Sequence, residues 1–569
     1  MVCILLGCAS LTSRSMAQGP GDAYRNNLQG LQGTARARAL GGAVGALGAD
    51  PTAVSVNPAG SALYSRGTVS LTLDPGFAST PISWSGYGTS ESNTEKYNRI
   101  DLANISYMSP LYFYSDKNGK LKDWGFNFGI SYNKSYDYKR NYRMITGMLG
   151  SISGSPSNPQ TSGYDLTDYI AARAIAFGVP FKRYNGANPF TAGLDPLVTL
   201  GVNAALIEGA VDENSSSYRT LFSQFVPNGG PSKPLFRLPP IGSSLAVNES
   251  GGKNEFDLTV GFSAGDYVQL GLTARIGSII YNRSSSYRQD YYWKGASYDG
   301  TPMVNESYMT LNNSLSNSGA YFTGVLGALV ALGDYGRVGV SYELPKYLSM
   351  KESYAVSAES MNSTFRPEDA RTTFSTDVYD SSYNMLLPGQ LTVSAMAFLG
   401  GYGLVSYDFA WRDLGQTKLY LGGSVDSGVT NAIKEDYTHE MTHRVGLEFI
   451  PMPKLALRAG YSFTGNPLKA NQLKAEPAEG LTYDPLPAGT IPDFTLPRSY
   501  SSYSGGIGYQ FSPSIRADVA YVYSVRNEKV YSFSGYVFRQ GGADNVLTSY
   551  GGDMKDIRND IVLTLSMYF

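Results

Sequence analysis

The residues RVGLEFI (444–450), the turn Pro451-Met452-Pro453 and the residues KLALRAGYSF (454–463) decide the fold. Val445, Leu447 and Phe449, then Leu455, Leu457, Ala459, Tyr461 and Phe463, fall on one face. Arg444, Glu448 and Arg458 fall on the other. Strict alternation through a tight turn is a β-hairpin, because successive strand side chains point to opposite faces. A hairpin with one apolar face and one charged face suits a wall between lipid and an aqueous lumen.

The same pattern recurs along the chain. Phe256, Leu258, Val260 and Phe262, then Val268, Leu270, Leu272 and Ala274, flank a turn at Gly265-Asp266. Further turns are expected at Gly333 to Gly336, Gly400-Gly401 and Ser512-Pro513. Counting such runs predicts about fourteen strands, starting near residues 67, 100, 123, 254, 267, 318, 336, 388, 402, 438, 454, 500, 514 and 557. Short connections alternate with long polar ones, which a soluble β-sandwich does not require. A bilayer supplies no water to backbone N–H and C=O groups, so such a sheet must close on itself. The fold class expected is therefore all-β, a transmembrane antiparallel barrel over residues 67–569. Its largest outer loop is expected at about 136–253. The last strand, DIVLTLSMYF, ends on Phe569, an aromatic terminus like the signal read by barrel-insertion machinery.

Composition agrees. Glycine (64) and tyrosine (44) are abundant, and charged residues make up only 16%. Tyrosine suits the interfacial girdles of a barrel. A formal net charge of −2 gives no basic field for nucleic acid. Both cysteines, Cys3 and Cys8, lie in an N-terminal segment with a short apolar core and the exit Ser15-Met16-Ala17. This reads as a signal peptide over 1–17, although it lacks a basic start, as if the start codon were placed late. Lipoprotein processing at Cys8 is the alternative.

Residues 18–66 do not alternate. They are small-residue-rich, with breaks at Gly41-Gly42, Pro51 and Pro58, and need a cavity to sit in. Here the sequence resembles the FadL-type outer-membrane transporters of long-chain fatty acids and other hydrophobic compounds. The resemblance is carried by Gly33, Ala35, Arg36, Ala37, Gly41, Gly42, Ala43, Asp50, Ala53, Asn57, Pro58, Ala59 and Gly60. It implies a fourteen-stranded barrel in the outer membrane of a Gram-negative bacterium, plugged by an N-terminal hatch. It also implies passive uptake of a hydrophobic ligand captured by outer loops and released sideways through a defect in the third strand, where Gly125 and Gly129 are the candidates. Some relatives are regarded as shuttles or scaffolds for secreted proteins, an alternative from another class. Within the long outer loop, IAARAIAFGVPF and PLVTLGVNAALI either line a landing groove or pack against themselves.

Other chemistry is weaker. His439-Glu440-Met441-Thr442-His443 spells H-E-x-x-H, and these are the only two histidines. Zinc needs them on a helix, whereas this segment runs directly into an alternating strand. The expectation is a rim pair, with metalloprotease as the remote alternative. The glycines of GGAVGALG lack the preceding strand and following Gly-Lys of a phosphate loop. Arg275, Asp408, Arg412, Arg444, Glu448, Arg458, Arg516 and Asp518 are expected to face the lumen as a charge network holding the hatch, or to line a polar route. No catalytic residue, cofactor or metal is expected. The partners expected are outer-membrane lipids, a hydrophobic small molecule and the barrel-assembly machinery, and the chain is expected to be a monomer.

Overall fold

A computed structural model of the chain describes residues 19–111, 124–155, 158–222, 224–225, 236–237, 240–296, 302–362, 371–469, 489–540, 543–547 and 549–569. The expected signal peptide and the turn between the second and third strands lie outside these residues.

Fourteen antiparallel strands close into one barrel. They are β1 (Thr68–Gly86), β2 (Thr89–Leu111), β3 (Trp124–Asp137, continuing as Arg140–Thr146), β4 (Gly242–Ala264), β5 (Val268–Ala296) and β6 (Pro302–Ala331). Then come β7 (Gly336–Glu343 and Lys346–Met361), β8 (Tyr379–Leu387 and Gln390–Phe398), β9 (Gly403–Asp413), β10 (His439–Met452) and β11 (Leu455–Thr464). The last are β12 (Phe494–Ser512), β13 (Ile515–Tyr531) and β14 (Gly552–Tyr568). Closure is the pairing of β1 with β14, in register from Thr68↔Tyr568 to Leu73↔Leu563 and resuming above. With this seam paired, the barrel has no open edge.

The outward face carries a belt of exposed apolar side chains. Val69, Leu71 and Leu73 on β1, Leu258 and Val260 on β4, Val445, Leu447 and Phe449 on β10, and Ile561, Leu563 and Leu565 on β14 are all exposed. The alternate residues are inward and polar: Thr68, Ser70, Thr72 and Asp74 on β1 are each buried. A soluble protein does not expose so continuous an apolar surface, so the barrel spans a membrane and is of the outer-membrane type.

Each of the fourteen expected strands is present, and the short turns fall where the sequence placed them. The outer ends differ. β2, expected near 100, begins at Thr89; β4, expected near 254, begins at Gly242; β6, expected near 318, begins at Pro302. About ten residues cross a bilayer, but β5 has 29 and β6 has 30. Above the membrane the ladder continues while its outward residues become polar, so the apolar alternation fades though the strand does not. The expected long connection between β1 and β2 is only Tyr87-Gly88, both at positive φ (49° and 80°), a tight hairpin turn matching strand twist.

The hatch occupies the lumen. Its elements are α1 (Pro20–Asn27), α2 (Ala35–Ala39), α3 (Pro51–Val56) and a 3₁₀ turn (Pro58–Leu63). Outside the membrane, α4 (Leu166–Phe177) and α5 (Pro196–Asn203) belong to a small outer subdomain. Asp165 and Asp168 form a capping box at the start of α4, and Gly178 at φ 64° ends it. The apolar runs here pack in part against each other, while Ile175, Phe177, Val179 and Phe181 stay half-buried. Ile170, Leu197 and Leu200 are fully buried against one another. Burial also pushes the Tyr218 phenol of this subdomain up to about 12.

Candidate functional site: the hatch, its seat and the cavity above it

The hatch folds on its own polar residues first. Thr34 caps α2 by accepting from the Ala37 N–H, and its hydroxyl donates to Asp50 at 3.0 and 2.9 Å. Asp50 in turn caps α3 by accepting from the Thr52 N–H at 2.9 Å. Asn57 caps the 3₁₀ turn by accepting from the Ala59 N–H, and its amide donates to the Gly45 and Ala328 carbonyls at 3.0 and 3.2 Å. One side chain therefore ties two hatch segments to β6. Pro58 follows at the first position of that turn, where a missing N–H costs nothing. Gly41 and Gly42 are at φ 63° and 76°, and Gly60 packs on the Gly48 backbone, so a Cβ there would lie 3.0 Å from the Gly48 Cα.

The wall is shaped to receive it. Gly261, Gly271 and Gly327 stand directly opposite one another on β4, β5 and β6. A Cβ on Gly261 would lie 2.6 Å from the Ala62 nitrogen, and one on Gly327 would lie 2.1 Å from Asn57 Oδ1. Gly446 and Gly460, paired across β10 and β11, approach Leu40 and Gly41 in the same way. Close backbone approach is the reason for glycine at these strand positions.

Charge completes the seat. Arg275 bonds Asp257 at 2.7 Å, Glu343 at 2.8 Å and the Ser55 carbonyl of α3 at 2.9 Å. Asp408 accepts the Val44 and Gly45 N–H groups at 3.0 and 2.9 Å. Arg36 of α2 pairs with Glu448 at 2.9 Å; Glu448 also holds Arg458, Arg458 holds Asp518, and Asp518 holds Arg516. Arg412 pairs with Glu440. Arg444 faces the lumen beside Gly42 but, among the described residues, makes no ion pair. A second cluster was not singled out from sequence: Arg38 pairs with Asp74 and Asp560, and Arg99 bonds both of these carboxylates. Its signal was available, since Asp74 and Asp560 have the inward parity of Thr72 and Thr564. Buried charges of this kind persist only when paired.

Gly125 and Gly129 do not open the wall. Gly129 is paired on both sides, with Met108 and with Thr259, and Gly125 is paired with Ser263. Gly129 gives room to the Met108 sulfur, 2.1 Å from where a Cβ would lie, whereas a Cβ on Gly125 would meet nothing nearer than the Ser263 Cβ at 3.9 Å. The defect in β3 lies higher. The β2–β3 ladder ends at Asn104↔Asn133, whereas β3 stays paired to β4 up to Asp137 and again over Arg140–Thr146. Above Asn133 the strand leaves β2 and leans inward: the Thr80 hydroxyl bonds the Asn141 carbonyl, and Met144 is buried. β3 itself carries the bulge: Ser135 is an extra residue between Lys134, opposite Asn254, and Tyr136, opposite Lys253, and beyond it the Tyr138 N–H donates to the carbonyl of Gly251 (φ 105°). Lys134–Asp101 (2.5 Å) and Arg99–Asp137 (3.3 Å) ion pairs bridge the parted strands.

Directly inside this parting is a cavity of about 160 Å³. Its walls include Tyr136, Tyr138, Tyr142 and Tyr281, with Leu315 and Ile491. Tyr136, Tyr138 and Tyr281 meet edge to face at 5.1 and 5.2 Å, and the Arg25 guanidinium lies 3.9 Å above the Tyr281 ring. The cationic groups of the lining are matched: Arg25 by Asp22, Arg140 by Glu249 and Glu528, Arg283 by Asp493. A ring-lined space with neutralised charge favours an apolar or amphipathic guest.

H-E-x-x-H lies on β10, not on a helix. The helix before it, α6 (Ser427–Asp436), ends at Tyr437. His439 and His443 take the outward face, while Glu440 points inward to Arg412. Strand geometry puts the two imidazoles about 13 Å apart, so they cannot share one ion. His443 Nδ1 instead bonds the Tyr407 hydroxyl at 2.8 Å among outward aromatics.

No family model matches the sequence, and no curated protein matches it. Solved structures do. A FadL homologue of Pseudomonas aeruginosa is 12% identical, with a TM-score of 0.44 over 95% of this chain and 99% of that one. The Pseudomonas putida toluene transporter TodX is 13% identical, with a TM-score of 0.42 over 95% and 99%. The Ralstonia pickettii toluene transporter TbuX is 13% identical, with a TM-score of 0.40 over the same shares. The strand ladder and the seated hatch are the architecture that the FadL resemblance implied.

Proposed function

We propose that the protein is an outer-membrane channel for passive uptake of hydrophobic small molecules, a class that runs from aromatic hydrocarbons to long-chain fatty acids. The observation that carries the proposal is the tyrosine-lined cavity placed between the hatch and the parted β2 and β3. Ligand captured among the outer elements enters this cavity, the hatch denies it a straight path, and the parting beside Tyr136 and Tyr138 offers a sideways exit to the bilayer. No catalytic step is required, since partition from the cavity into lipid is downhill for an apolar guest.

The test joins the strands at the parting. Leu102→Cys and Ser135→Cys are linked by a short bifunctional reagent that contains a reducible bond, and uptake of a radiolabelled hydrocarbon and a radiolabelled fatty acid into cells is measured. Expected is uptake that falls on linking and returns on reduction. Uptake indifferent to the link would remove the lateral exit, and no uptake by the unlinked protein would remove the transport reading.

A further inference from the structure

A second, smaller cavity of about 40 Å³ lies between hatch residues Leu28 to Leu31 and the wall of β9 to β13. Its lining has four arginines, Arg412, Arg444, Arg498 and Arg526, against a single carboxylate, Glu440. Glu440 is engaged by Arg412 at 2.9 Å. Arg526 is 7% exposed, and among the described residues neither it nor Arg444 makes an ion pair. Arg526 lies 5.0 Å from the Tyr500 ring and bonds only the neutral Tyr24 hydroxyl, at 3.2 Å. Arg444 stands across the strands from Asp408, whose Oδ2 accepts the Val44 and Gly45 N–H groups and whose Oδ1 has no hydrogen-bond partner among the described residues; the two attract at a distance without forming an ion pair. Arg36, Arg38, Arg275 and Arg458 of the hatch seat each pair with a carboxylate and Arg337 bonds the Leu47 carbonyl, whereas, among the described residues, Arg444 and Arg526 have neither kind of contact with the hatch.

Uncompensated guanidinium groups facing one enclosed space are costly unless an anion neutralises them. Guanidinium presents its donors in a fork that matches paired oxygens, and Thr442, Ser462 and Thr464 add hydroxyls to the lining. A water needs roughly 10–15 Å³ of such space, so the cavity has room for three or four oxygens, the size of one tetrahedral oxyanion. We propose that this cavity, which adjoins the tyrosine-lined one, is a binding site for a divalent oxyanion of the phosphate or sulfate type. Arg444 and Arg526, which make no ion pair among the described residues, supply the donors that hold it. Tyr24 and Leu28 line both this cavity and the tyrosine-lined one. The oxyanion is therefore either free or the head of a ring compound that reaches into the larger space.

Calorimetry on the purified full-length mature protein in non-ionic detergent tests this, with inorganic phosphate, sulfate, chloride and phenyl phosphate titrated at matched ionic strength. Saturable binding of phosphate and sulfate but not chloride is expected, weakened about tenfold or more by Arg526→Gln or Arg444→Gln, the loss of one charge-assisted contact. Phenyl phosphate binding more tightly than phosphate identifies the head-group source; equal affinity identifies the free anion. Wild-type protein that takes chloride as readily as phosphate overturns the site without any variant. Full affinity retained in both folded variants overturns it as well.

Discussion

Gly271 and Pro58 are in such close apposition that a Cβ on Gly271 would lie 2.1 Å from the Pro58 carbonyl carbon. Strand β5 and the hatch therefore touch backbone to backbone, and flexible side chains cannot absorb a change there. Gly271→Val should expel the 3₁₀ turn from its seat while leaving β5 paired, since valine suits a strand. The expected outcome is raised ion conductance in planar bilayers from a barrel that still migrates as folded on unheated gels. Unchanged conductance would show that the contact does not hold the plug.

The Arg38 cluster leads to a different expectation. Its guanidinium is 1% exposed and faces Asp74 and Asp560, 0% and 4% exposed, with Arg99 beyond them. Arg38→Met leaves two buried carboxylates with one fewer cation, a loss of about 3–5 kcal/mol of the kind seen when one partner of a buried pair is removed. Pairing it with Asp560→Asn should return much of that loss, because the uncompensated charge goes with it. Urea unfolding of the single and double variants in detergent measures both, and a double variant no better than the single would refute the coupling.

These two contacts show what sequence could and could not disclose. The alternation through Val445, Leu447 and Phe449 fixed which face meets lipid, since a strand's parity admits no drift. Asn57-Pro58-Ala59 and Gly41-Gly42 marked the hatch because capping and positive φ need those residue types wherever they occur. The partners of Arg38 lie 36 and 522 residues away, and nothing local ties such positions together. The outer ends of the strands were missed for another reason: beyond the bilayer, both faces meet water or polar loops, and a ladder between Asn282 and Ser316 leaves no apolar rhythm. The β3 defect was sought at its glycines, yet the bulge falls at Ser135, a residue type that does not by itself mark one.

In the outer subdomain, α4 and α5 meet at Gly201, where a Cβ would lie 2.6 Å from Ile170 Cγ2. Gly201→Val should force the helices apart at a cost of about 1–3 kcal/mol, the usual range for overpacking a well-filled core. The barrel itself does not depend on this contact. Limited proteolysis should then cut within 164–222 while the barrel strands stay resistant, and equal resistance of the whole protein would show that the helices tolerate the added side chain.

Phe569 takes part in closing the barrel. The N–H of Phe569 donates to the Gly67 carbonyl at 3.0 Å, and the Gly67 N–H donates back to the Phe569 carbonyl at 3.1 Å, extending the β1–β14 seam by one pair. Its ring is 68% exposed on the lipid side, and a Cβ on Gly67 would lie 2.3 Å from it, so the ring lies across the Gly67 backbone. Tyr107 of β2 stacks on the same ring at 6.3 Å. Phe569→Ala keeps both backbone bonds but removes the ring that spans three strands at the membrane surface. If the ring acts only in the finished barrel, the variant should assemble at the wild-type rate and melt at a lower temperature. If it also serves as the insertion signal, assembly into the outer membrane should slow, while Phe569→Trp, which keeps an aromatic there, restores it. Pulse-chase assembly read by heat-modifiable mobility, alongside thermal unfolding of whatever folds, separates the two roles. The expected result is slow assembly rescued by tryptophan, and a variant with normal assembly kinetics would confine Phe569 to the seam.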